Sequence, residues 1–529
     1  MMRVLVSDAL SEQGLNILRQ TPGAAIDYKP GLNEADLAAA VVGADALVIR
    51  SGSKVTARVI AAADKLKVIG RAGIGVDNVD VEAASKKGIV VMNTPTGNAV
   101  TTAEHALSLL MSLARHVPQA SALLKAGKWE KKKFEGRELS GKTLAVVGLG
   151  NIGRIVADRA RGLSMKVIGF DPMITAERAA QLGVELCTLD EIFARADAIT
   201  VHTPLTAQTK GLINEGVLPK LKKGVLLINA ARGGIYDEAA LLKGLESGQI
   251  GGVALDVFIE EPPPADMPLL KHDRVIATPH LGASTKEAQD RVALEIADQI
   301  VMYLTTGEIK NAVNTPSVAG EIAIQQKPYL DLAERLGSFL AQVEPALSPK
   351  AIEVECTGKA ADLGVKGIAA AAVAGCLSRY LAASMNRVSA PVAAKERGIS
   401  VRELASSGGS EYASRIVLRV TGADGQTHAV WGAVGADGSP RLLKWDDYEV
   451  EAHLGGPTLV IKNLDKPGVI GAIGTALGSA DVNVARVHLG VAKPGGALSV
   501  WNLDSPPQTS VIETLRRSPH VQSVTIIHV

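Results

Sequence analysis

The chain is poor in cysteine, in aromatic side chains and in net charge. Its 529 residues include three cysteines, Cys187, Cys356 and Cys376, and 3% aromatic residues. The cysteines are too few and too widely spaced for a disulfide scaffold or a metal-ligand cluster, which favours reduced thiols in a cytoplasmic protein without a metal. Lys and Arg total 56 against 55 Asp and Glu, a formal charge of +1. Because this balance provides no field that attracts a polyanion, nucleic acid is not an expected partner.

The sequence also lacks a long hydrophobic run. Its most apolar segment, Gly367 to Leu377, is bounded by Lys366 and Arg379 and is far shorter than the roughly 20 residues that span a membrane. The first residues lack the apolar core and the cleavage site of a signal peptide. We therefore expect no membrane contact, and we interpret the apolar segment as a buried, Ala-rich helix.

The sequence does contain alternating strand and helix patterns over a length that predicts two to four domains. Up to about residue 95, apolar runs at 4–7, 46–49, 68–70 and 89–92 alternate with helical patterns, which is typical of a parallel sheet. Segment 102–125 then has helical apolar spacing throughout, which predicts one long helix.

A second βα series begins at Lys142. Its predicted strands are 143–147, 167–171, 198–202, 225–229, 252–256 and 275–278. Six parallel strands with helices between them are the doubly wound nucleotide-binding layout. The helical stretch 286–304 adds no strand, so we expect it to pack back on the first series and to make the first domain discontinuous.

The remaining chain is organised differently. Residues 314–316 are predicted to be a linker, and residues 320–450 mix helices and strands around turn-rich segments at 406–410 and 422–425. The last part has the order strand 458–462, helix 469–478, strands 483–489 and 498–503, helix 511–517 and strand 523–528, which is ferredoxin-like βαββαβ. The expected fold class is therefore α/β: two doubly wound parallel-sheet (Rossmann-like) domains, an α+β domain and a ferredoxin-like domain. Their predicted bounds are 1–96 with 281–312, then 97–280, 316–452 and 456–529.

A glycine-rich motif lies at the start of the second series. Gly148-Leu-Gly150-Asn-Ile-Gly153 follows a strand, opens a helix and leads to a strand ending in Asp171. The first glycine permits a tight turn, the second lets backbone N–H groups approach a pyrophosphate, and the third lets helix and strand pack. Asp171 would accept hydrogen bonds from ribose hydroxyls, which predicts NAD rather than NADP. The alternatives are a glycine turn without a ligand and, because Pro172 follows, a turn cap for Asp171.

Three later strand ends bring polar side chains to the same sheet edge. They carry Arg232, Asp256 and His280, and the carboxyl ends of parallel strands are where such sheets bind ligands. The guanidinium of Arg232 could hold a substrate carboxylate through two hydrogen bonds. Its alternative is an ion pair with Asp237 or Glu238.

His280 is the candidate acid/base. Oxidation of an alcohol by hydride transfer needs a base for the hydroxyl proton, and histidine titrates near neutral pH. Glu261 could bind the other ring nitrogen and fix its tautomer. The alternatives are a structural histidine and a solvated acid in a Pro-rich loop. His105 and His202 are interpreted as structural.

These segments resemble the D-isomer-specific 2-hydroxyacid dehydrogenase family. The resemblance covers roughly residues 1–312 and rests on Gly148 to Gly153, His202-Thr-Pro-Leu205, Asn229-Ala-Ala-Arg-Gly-Gly234, Leu255-Asp-Val-Phe-x-x-Glu261-Pro262 and Thr278-Pro-His280. It implies that residues 1–96 and 281–312 bind substrate and that 97–280 bind NAD. It further implies that Arg232 binds the substrate carboxylate, that Glu261 supports His280, and that His280 takes the hydroxyl proton.

Further contacts are implied by the resemblance alone. Cofactor contacts fall on Arg154, Ile155, Thr203, Ala230, Asp256, Gly282 and Ala283, and substrate contacts on Arg50, Ser51, Gly75 and Asn98. The segment Arg50-Ser-Gly-Ser53 offers a cation and N–H donors for a phosphate, and its alternative is an ordinary βα turn.

Arg71-Ala-Gly-Ile-Gly-Val-Asp-Asn78, His280-Leu-Gly-Ala-Ser284 and the added C-terminal domains are similar to long-form members of the family. Such members oxidise 3-phospho-D-glycerate to 3-phosphooxypyruvate, the first step of phosphorylated serine biosynthesis. The similarity implies this substrate and a homo-oligomer, either dimer or tetramer. It also places Lys131 to Lys133 near a neighbouring subunit's active site, although such a run is more often a solvated face.

The C-terminal module resembles an ACT domain, and residues 316–452 correspond to an intervening domain. Asp465 and Asn483 match positions that bind an amino-acid effector, which implies regulation by L-serine. Asn463 departs from the pattern, since long-form relatives often have tyrosine there. The alternative for Asp465 to Gly468 is a helix-entry turn.

Two other functions fit the motifs. One is another D-2-hydroxyacid dehydrogenase, acting on lactate, glycerate or glyoxylate. The other is an NAD-sensing binding protein, like the transcriptional corepressors built on this fold. A regulatory module suits the first step of a pathway and such corepressors lack the ACT-like tail, so oxidation of the phosphorylated acid is the expected function.

Overall fold

Four β-sheets organise the chain in the computed structural model. It describes residues 1–316, 318, 320–381, 385–406, 412, 414–492 and 495–529. The turn predicted at 406–410 lies, beyond Ser406, outside the described residues.

The first sheet is parallel and has the strand order β2-β1-β3-β4-β5. Its elements are β1 (Met2–Val6), α1 (Glu12–Gln20), β2 (Ala24–Tyr28), α2 (Glu34–Ala40), β3 (Ala46–Ile49), α3 (Ala57–Ala62), β4 (Val68–Arg71), α4 (Val81–Lys86) and β5 (Val90–Asn93). Strands β3 and β5 are buried along their whole length, which explains their continuous apolar runs. The sequence prediction missed β2, because this edge strand is only partly buried and has no such run.

Two helices connect the first sheet to the second. They are α5 (Ala99–Arg115) and α6 (Val117–Lys125). Between them His116 has a left-handed φ of 52°, which ends α5, and Pro118 lies in the first turn of α6, where proline is tolerated. The prediction of one helix over 102–125 was therefore wrong. A short 3-10 helix follows at Lys131–Lys133.

The second sheet is also parallel, with the order β12-β11-β10-β9-β6-β7-β8. Its elements are β6 (Thr143–Val147), α7 (Asn151–Gly162), β7 (Lys166–Phe170), α8 (Ala176–Gln181), β8 (Glu185–Leu186), α9 (Leu189–Arg195), β9 (Ala198–Val201), β10 (Val225–Asn229), α10 (Glu238–Glu246), β11 (Ile250–Leu255) and β12 (Val275–Ala277). The doubly wound layout is confirmed. The predicted count of six strands was one too low, because β8 has only two residues. The strand order reverses between β6 and β9, which leaves a crevice at their carboxyl ends.

Helix α11 (Lys286–Thr306) follows the second sheet in sequence but packs on the first. Its buried Val292, Ile296 and Ile300 share one hydrophobic core with strands β1, β3, β4 and β5. The contact is close, because a Cβ on Gly70 of β4 would lie 2.9 Å from side-chain atoms of Ile296 and Ile300.

The third sheet is mixed, with the order β14-β13-β15-β16-β17-β18 and a single parallel pair, β13 and β14. Its elements are α12 (Glu321–Val343), β13 (Pro349–Thr357), α13 (Lys359–Asp362), α14 (Val365–Leu377), α15 (Ser389–Glu396), β14 (Ser400–Ser406), β15 (Arg415–Gly422), β16 (Thr427–Val434), β17 (Pro440–Trp445) and β18 (Tyr448–His453). Helix α14 is buried from Gly367 to Leu377, which confirms the predicted Ala-rich buried helix. Within the described residues, no helix combines the length and the apolar character needed to cross a membrane.

The packing of α12 against α14 depends on glycine, and this leads to a stability prediction. A Cβ on Gly375 would lie 1.9 Å from the carbonyl oxygen of Glu334. Gly375→Ala is therefore expected to lower the free energy of unfolding by roughly 1–3 kcal/mol through overpacking, measured by urea unfolding. Gly162→Ala in α7 is the matched control, since nothing lies within 4 Å of its added Cβ. Equal stability of the two variants would contradict this account of the packing.

The fourth sheet is antiparallel, with the order β20-β21-β19-β22. Its elements are β19 (Pro457–Leu464), α16 (Val469–Gly478), β20 (Val484–Ala492), β21 (Gly496–Leu503), α17 (Thr509–Arg516) and β22 (Val521–His528). The predicted βαββαβ order is confirmed. Val460, Val500 and Ile527 belong to the same hydrophobic core as α12 and α14, so the fourth sheet packs on the third.

Candidate active site

The crevice between β6 and β9 contains the glycine-rich loop. Gly148 has φ 92°, and a Cβ there would lie 2.7 Å from the carbonyl oxygen of His202. A Cβ on Gly153 would lie 1.8 Å from the carbonyl oxygen of Gly148, so these two glycines are required by the packing of the chain itself. Around Gly150, in contrast, nothing lies within 4 Å of the added Cβ. This open space adjoins the start of α7, where no side chain caps the backbone N–H groups, and both features suit a pyrophosphate.

Orphaned polar atoms lie in the residues predicted to contact ligands. Thr203 Oγ1 and Asn98 Oδ1 are buried and have no hydrogen-bond partner among the described residues. Buried polar atoms are normally paired, so a bound molecule would satisfy them. Together with the space at Gly150, the Thr203 hydroxyl fits a dinucleotide, and the Asn98 amide oxygen fits the predicted contact with the substrate. Of the other predicted cofactor residues, Arg154 is exposed and Ile155 half-buried in the first turns of α7.

Asp171 holds the glycine-rich loop in place. Its Oδ2 accepts a hydrogen bond from the N–H of Leu149 at 2.8 Å, and its Oδ1 accepts one from the N–H of Met173 at 2.8 Å. The structure therefore shows the turn cap that was the alternative at this position. Each carboxylate oxygen can accept a further hydrogen bond, and the contact with ribose stays a prediction.

His280 lies beyond β12 with its ring paired to Glu261. Its Nδ1 is 2.8 Å from Glu261 Oε2, as the sequence predicted, and Glu261 Oε1 accepts from the N–H of Phe258 at 3.1 Å. The side chains of His280 and Glu261 are 48% and 38% exposed, so a ligand can reach the ring. With Nδ1 donating to the carboxylate, Nε2 is the nitrogen left to exchange a proton with a substrate.

The buried carboxylate of Asp256 organises the loop that carries His280. It accepts hydrogen bonds from the N–H groups of Leu281 (2.7 Å) and Gly282 (2.8 Å) and from Thr278 Oγ1 (2.6 Å), and it lies 3.0 Å from His105 Nε2. Burial acts to raise the pKa of Asp256, but these hydrogen bonds outweigh it and hold the pKa below its ordinary value. Because the residue has no exposed surface, its carboxylate positions this loop; the cofactor contact implied for Asp256 stays a prediction.

Arg232, which follows β10 of the second sheet, is paired with a residue that follows β4 of the first sheet. Its Nε donates to Asp77 Oδ2 at 2.7 Å, whereas the partners considered from the sequence are engaged elsewhere: Asp237 caps α10 and Glu238 accepts from the N–H of Ile259. A Cβ on Gly75 would lie 1.6 Å from Arg232 Nη2, so the predicted substrate residues Gly75 and Arg232 are in direct proximity.

Arg71 and Asp77 were missed as site residues by the sequence reasoning. Burial, reinforced by the nearby charges of Arg232 and Arg50 and opposed by Asp77, lowers the pKa of Arg71 to about 10. Its Nε is buried without a partner among the described residues. An anion beside Arg71 would satisfy this donor and neutralise the cluster. The position of Arg71 at the carboxyl end of β4 is the signal that could have identified it.

The turn at Arg50 to Ser53 is held rigidly next to this cluster. Asp8 Oδ2 accepts from the N–H groups of Arg50 (2.5 Å) and Ser53 (3.1 Å), and Asn78 Nδ2 donates to the carbonyl oxygens of the same two residues. Within the described chain, the N–H groups of Ser51 and Gly52 have no acceptor. These donors beside an arginine suit a phosphate.

His202, interpreted as structural, lies half-buried beside the glycine-rich loop, and desolvation of its ring lowers its pKa from 6.5 to about 4. Since the unfolded chain takes up a proton in this interval and the folded chain does not, stability is expected to fall as the pH drops from 6.5 towards 4. Between pH 7 and pH 5 this amounts to about 2 kcal/mol. Urea unfolding should show this pH dependence in the wild type and a smaller one in His202→Gln; identical dependence would contradict the assignment.

The residues predicted to bind an effector lie at the ends of β19 and β20. Asn483 precedes β20 rather than lying in it, and its Nδ2 donates to Asp504 Oδ2 at 2.6 Å. Asp465 follows β19 with its side chain exposed. No hydrogen bond joins these two side chains in the part of the chain described. Asn463, which departs from the pattern, is buried in β19 and donates from Nδ2 to the carbonyl oxygen of Leu464.

Comparison with known proteins agrees with this geometry. The family "D-isomer specific 2-hydroxyacid dehydrogenase, NAD binding domain" matches residues 107–282, and the "D-3-phosphoglycerate dehydrogenase intervening domain" matches residues 325–446. Among solved structures, a D-lactate dehydrogenase of Aquifex aeolicus in complex with NAD and lactic acid aligns with a TM-score of 0.53 and 26% identity. The alignment covers 59% of this chain and 100% of that one. The chain is thus an NAD-dependent oxidoreductase with the fold of a 2-hydroxyacid dehydrogenase.

Full-length relatives define the family more narrowly. D-3-phosphoglycerate dehydrogenase of Archaeoglobus fulgidus is 41% identical, over 99% of this chain and 100% of the relative. The enzyme of the same name from Bacillus subtilis is 41% identical, over 100% and 99%. The chain belongs to the D-3-phosphoglycerate dehydrogenase family.

Proposed function

We propose that the protein oxidises 3-phospho-D-glycerate to 3-phosphooxypyruvate with NAD, the first step of phosphorylated serine biosynthesis. The observation that carries this proposal is the cluster of Arg50, Arg71 and Arg232, whose positive charges are opposed by Asp77 and Asp8. A substrate with both a carboxylate and a phosphate supplies the negative charge that this cluster lacks. Lactate and glycerate supply only a carboxylate. The names of the full-length relatives support the same substrate.

The guanidinium of Arg232 would hold the substrate carboxylate. Asp77 fixes its orientation by accepting a hydrogen bond from Nε, and the outer nitrogen Nη2 lies next to Gly75, a predicted substrate residue. The phosphate would lie at the Arg50 turn, against the N–H groups of Ser51 and Gly52, with Arg71 between the two anions. Asn98 would contact the substrate through its orphaned Oδ1. In this arrangement, the C2 hydroxyl would be directed towards His280.

His280 would remove the hydroxyl proton through Nε2 while Glu261 accepts the hydrogen bond from Nδ1–H. The carboxylate stabilises the imidazolium that forms and keeps the ring in one tautomer. Bound NAD supplies the acceptor for the C2 hydride. The glycines at 148, 150 and 153, with Arg154, Ile155, Asp171, Thr203, Ala230, Gly282 and Ala283, would hold it.

The substrate assignment is tested by comparing acids that share a carbon skeleton. We expect kcat/KM for NADH formation to be far higher with 3-phospho-D-glycerate than with D-glycerate, which lacks only the phosphate, or with D-lactate. Equal values would overturn the substrate proposal and favour another 2-hydroxyacid dehydrogenase. Binding of NAD without oxidation of any of the three acids would favour the NAD-sensing alternative.

We further propose a role for each domain that follows from this function. Residues 1–96 and 281–312 bind substrate, 97–280 bind NAD, 316–452 form an intervening domain, and 456–529 form a regulatory ACT domain. The three cysteines are free and buried, which suits a cytoplasmic protein.

L-Serine is the proposed effector, at Asp465 and Asn483. We expect L-serine to lower the rate of NADH formation, D-serine to have no effect, and Asn483→Ala to respond less than the wild type. Initial rates measured over a range of serine concentrations decide the matter. If L-serine does not inhibit the wild type, the proposal that L-serine is the effector is wrong.

A homo-oligomer, dimer or tetramer, is proposed from the exposed apolar surface of α5, α6 and the turn that follows. Met111 is 47%, Val117 52%, Leu124 55% and Trp129 81% exposed, and Lys131 to Lys133 lie directly beyond. A second copy of the chain would cover these side chains. Sedimentation of the wild type and of Trp129→Asp tests this; a monomeric wild type would contradict it.

A further inference from the structure

Two cavities adjoin each other where the linker that precedes α12 meets α14, α15 and β14. Their volumes are about 340 and 550 Å³, and both are lined by Pro316, Lys366 and Glu403. No residue of the candidate active site lines either cavity. They therefore form one cleft of their own, which we call the junction cleft.

Positive charge predominates in the junction cleft. Lys366, Arg387 and Lys395 line the larger cavity, and Glu403 is the acid among its lining residues. In the described part of the chain, none of these three cations forms an ion pair. Three cations against one acid leave a net positive charge on the lining of the cavity, and such a charge attracts anions, so the cleft is suited to a negatively charged ligand.

The start of α14 adds to this preference. The helix has neither a side-chain cap nor an acid in its first turn, and its first residues, Val365 to Gly367, line the smaller cavity. Unpaired N–H groups at a helix start carry partial positive charge. The rest of the larger cavity is mainly apolar, through Ala370, Val373, Val388, Val392, Ile399 and Val401. Apolar walls beside cations match an organic anion with a short carbon skeleton.

The junction cleft lies at the joint between the first and third sheets. Asn386, next to α15, donates from Nδ2 to the carbonyl oxygen of Gly88 at 2.8 Å, and Lys86 of α4 pairs with Glu396 at 3.0 Å. In the linker, Asn314 Oδ1 accepts from the N–H of Val91 at 2.9 Å. A ligand in the cleft would touch both the linker and α15, and would stabilise the joint.

We propose that the junction cleft binds a small organic anion, phosphorylated or carboxylated. Binding would tie α14 and α15 to the linker and slow local opening there. The proposal rests on the lining residues alone and is independent of the substrate assigned above.

Amide hydrogen exchange of the full-length protein, saturated with NAD, tests the proposal. Inorganic phosphate and succinate are added separately, and exchange is followed in segments 364–376 and 386–401. If only phosphate slows exchange, the natural ligand carries a phosphoryl group. If only succinate slows it, the ligand is a carboxylate, and if both do, the cleft is a general site for anions. No slowing in these segments with either anion would overturn the proposal. Exchange at the Arg50 turn reports separately on anion binding at the active site.

A variant pair locates the site. In Lys366→Gln/Arg387→Gln, the anion concentration for half-maximal slowing is expected to rise by roughly tenfold or more, because charge-assisted contacts are lost. Lys350→Gln/Arg379→Gln removes the same charge from exposed positions outside the cavities and should behave as the wild type. An equal effect of the two pairs, or no effect of the first, would assign the slowing to general screening and overturn the proposal.

Discussion

Replacement of His280 by Gln is expected to lower kcat by about 100- to 10,000-fold, the range typical for removal of a general acid or base. Glutamine cannot accept the C2 hydroxyl proton, so hydride would have to leave an un-ionised alcohol. The side chain of His280 is half exposed, and within the described chain its hydrogen-bond partner is Glu261, so the fold should be retained. Steady-state rates of NADH formation and NAD affinity by calorimetry check the prediction.

Glu261→Gln distinguishes the positioning of the His280 ring by Glu261 from proton transfer by His280 itself. It leaves the imidazole in place but removes the carboxylate at Nδ1, so the loss in kcat should be smaller than in His280→Gln. NAD affinity should be unchanged in both variants. A His280→Gln enzyme with near wild-type kcat would show that another group takes the proton, and a loss of NAD affinity would indicate a structural role.

Replacement of Arg232 by Gln is expected to lower kcat/KM by roughly 100- to 1,000-fold, as is typical when one partner of a buried charged pair is removed. The substrate carboxylate would lose its two-point anchor. Arg232→Lys should recover little of the loss, because an ammonium group cannot reproduce the planar fork. Initial rates over a range of 3-phospho-D-glycerate concentrations measure the effect.

Asp77→Asn provides the companion measurement for Arg232. Asp77 is 66% exposed, so its replacement should not affect folding, but the guanidinium would lose the carboxylate that fixes Nε. KM for the acid should rise with a small change in kcat and with NAD affinity unchanged. Wild-type activity of Arg232→Gln would show that Arg232 does not bind the substrate carboxylate. An unchanged KM in Asp77→Asn would show that Asp77 does not position Arg232.

The sequence predicted the contact between His280 and Glu261 but not the residues around them. Strand ends and chemistry were enough to place His280 and Glu261 together, because parallel strands deliver their following residues to one edge. Asp77 was not predicted as the partner of Arg232, because the two residues are 155 positions apart and follow strands of different sheets. Local patterns describe neighbours along the chain and carry no information on how two domains face each other.

Element boundaries show the same limit. Strands β3 and β5 were found because burial on both faces gives continuous apolar runs. Edge strand β2 and the two-residue β8 have no such run and were missed. The break at His116 was missed because it depends on one left-handed residue rather than on the apolar spacing.

Isotope transfer tests the central claim most directly. 3-Phospho-D-glycerate deuterated at C2 is incubated with NAD and the wild-type protein, and the NADH formed is analysed by mass spectrometry. The account predicts that the deuterium appears in NADH, that the L isomer is not consumed, and that His280→Gln forms only traces of the labelled product. Loss of the deuterium to water, or equal consumption of the two isomers, would contradict D-specific hydride transfer at this site.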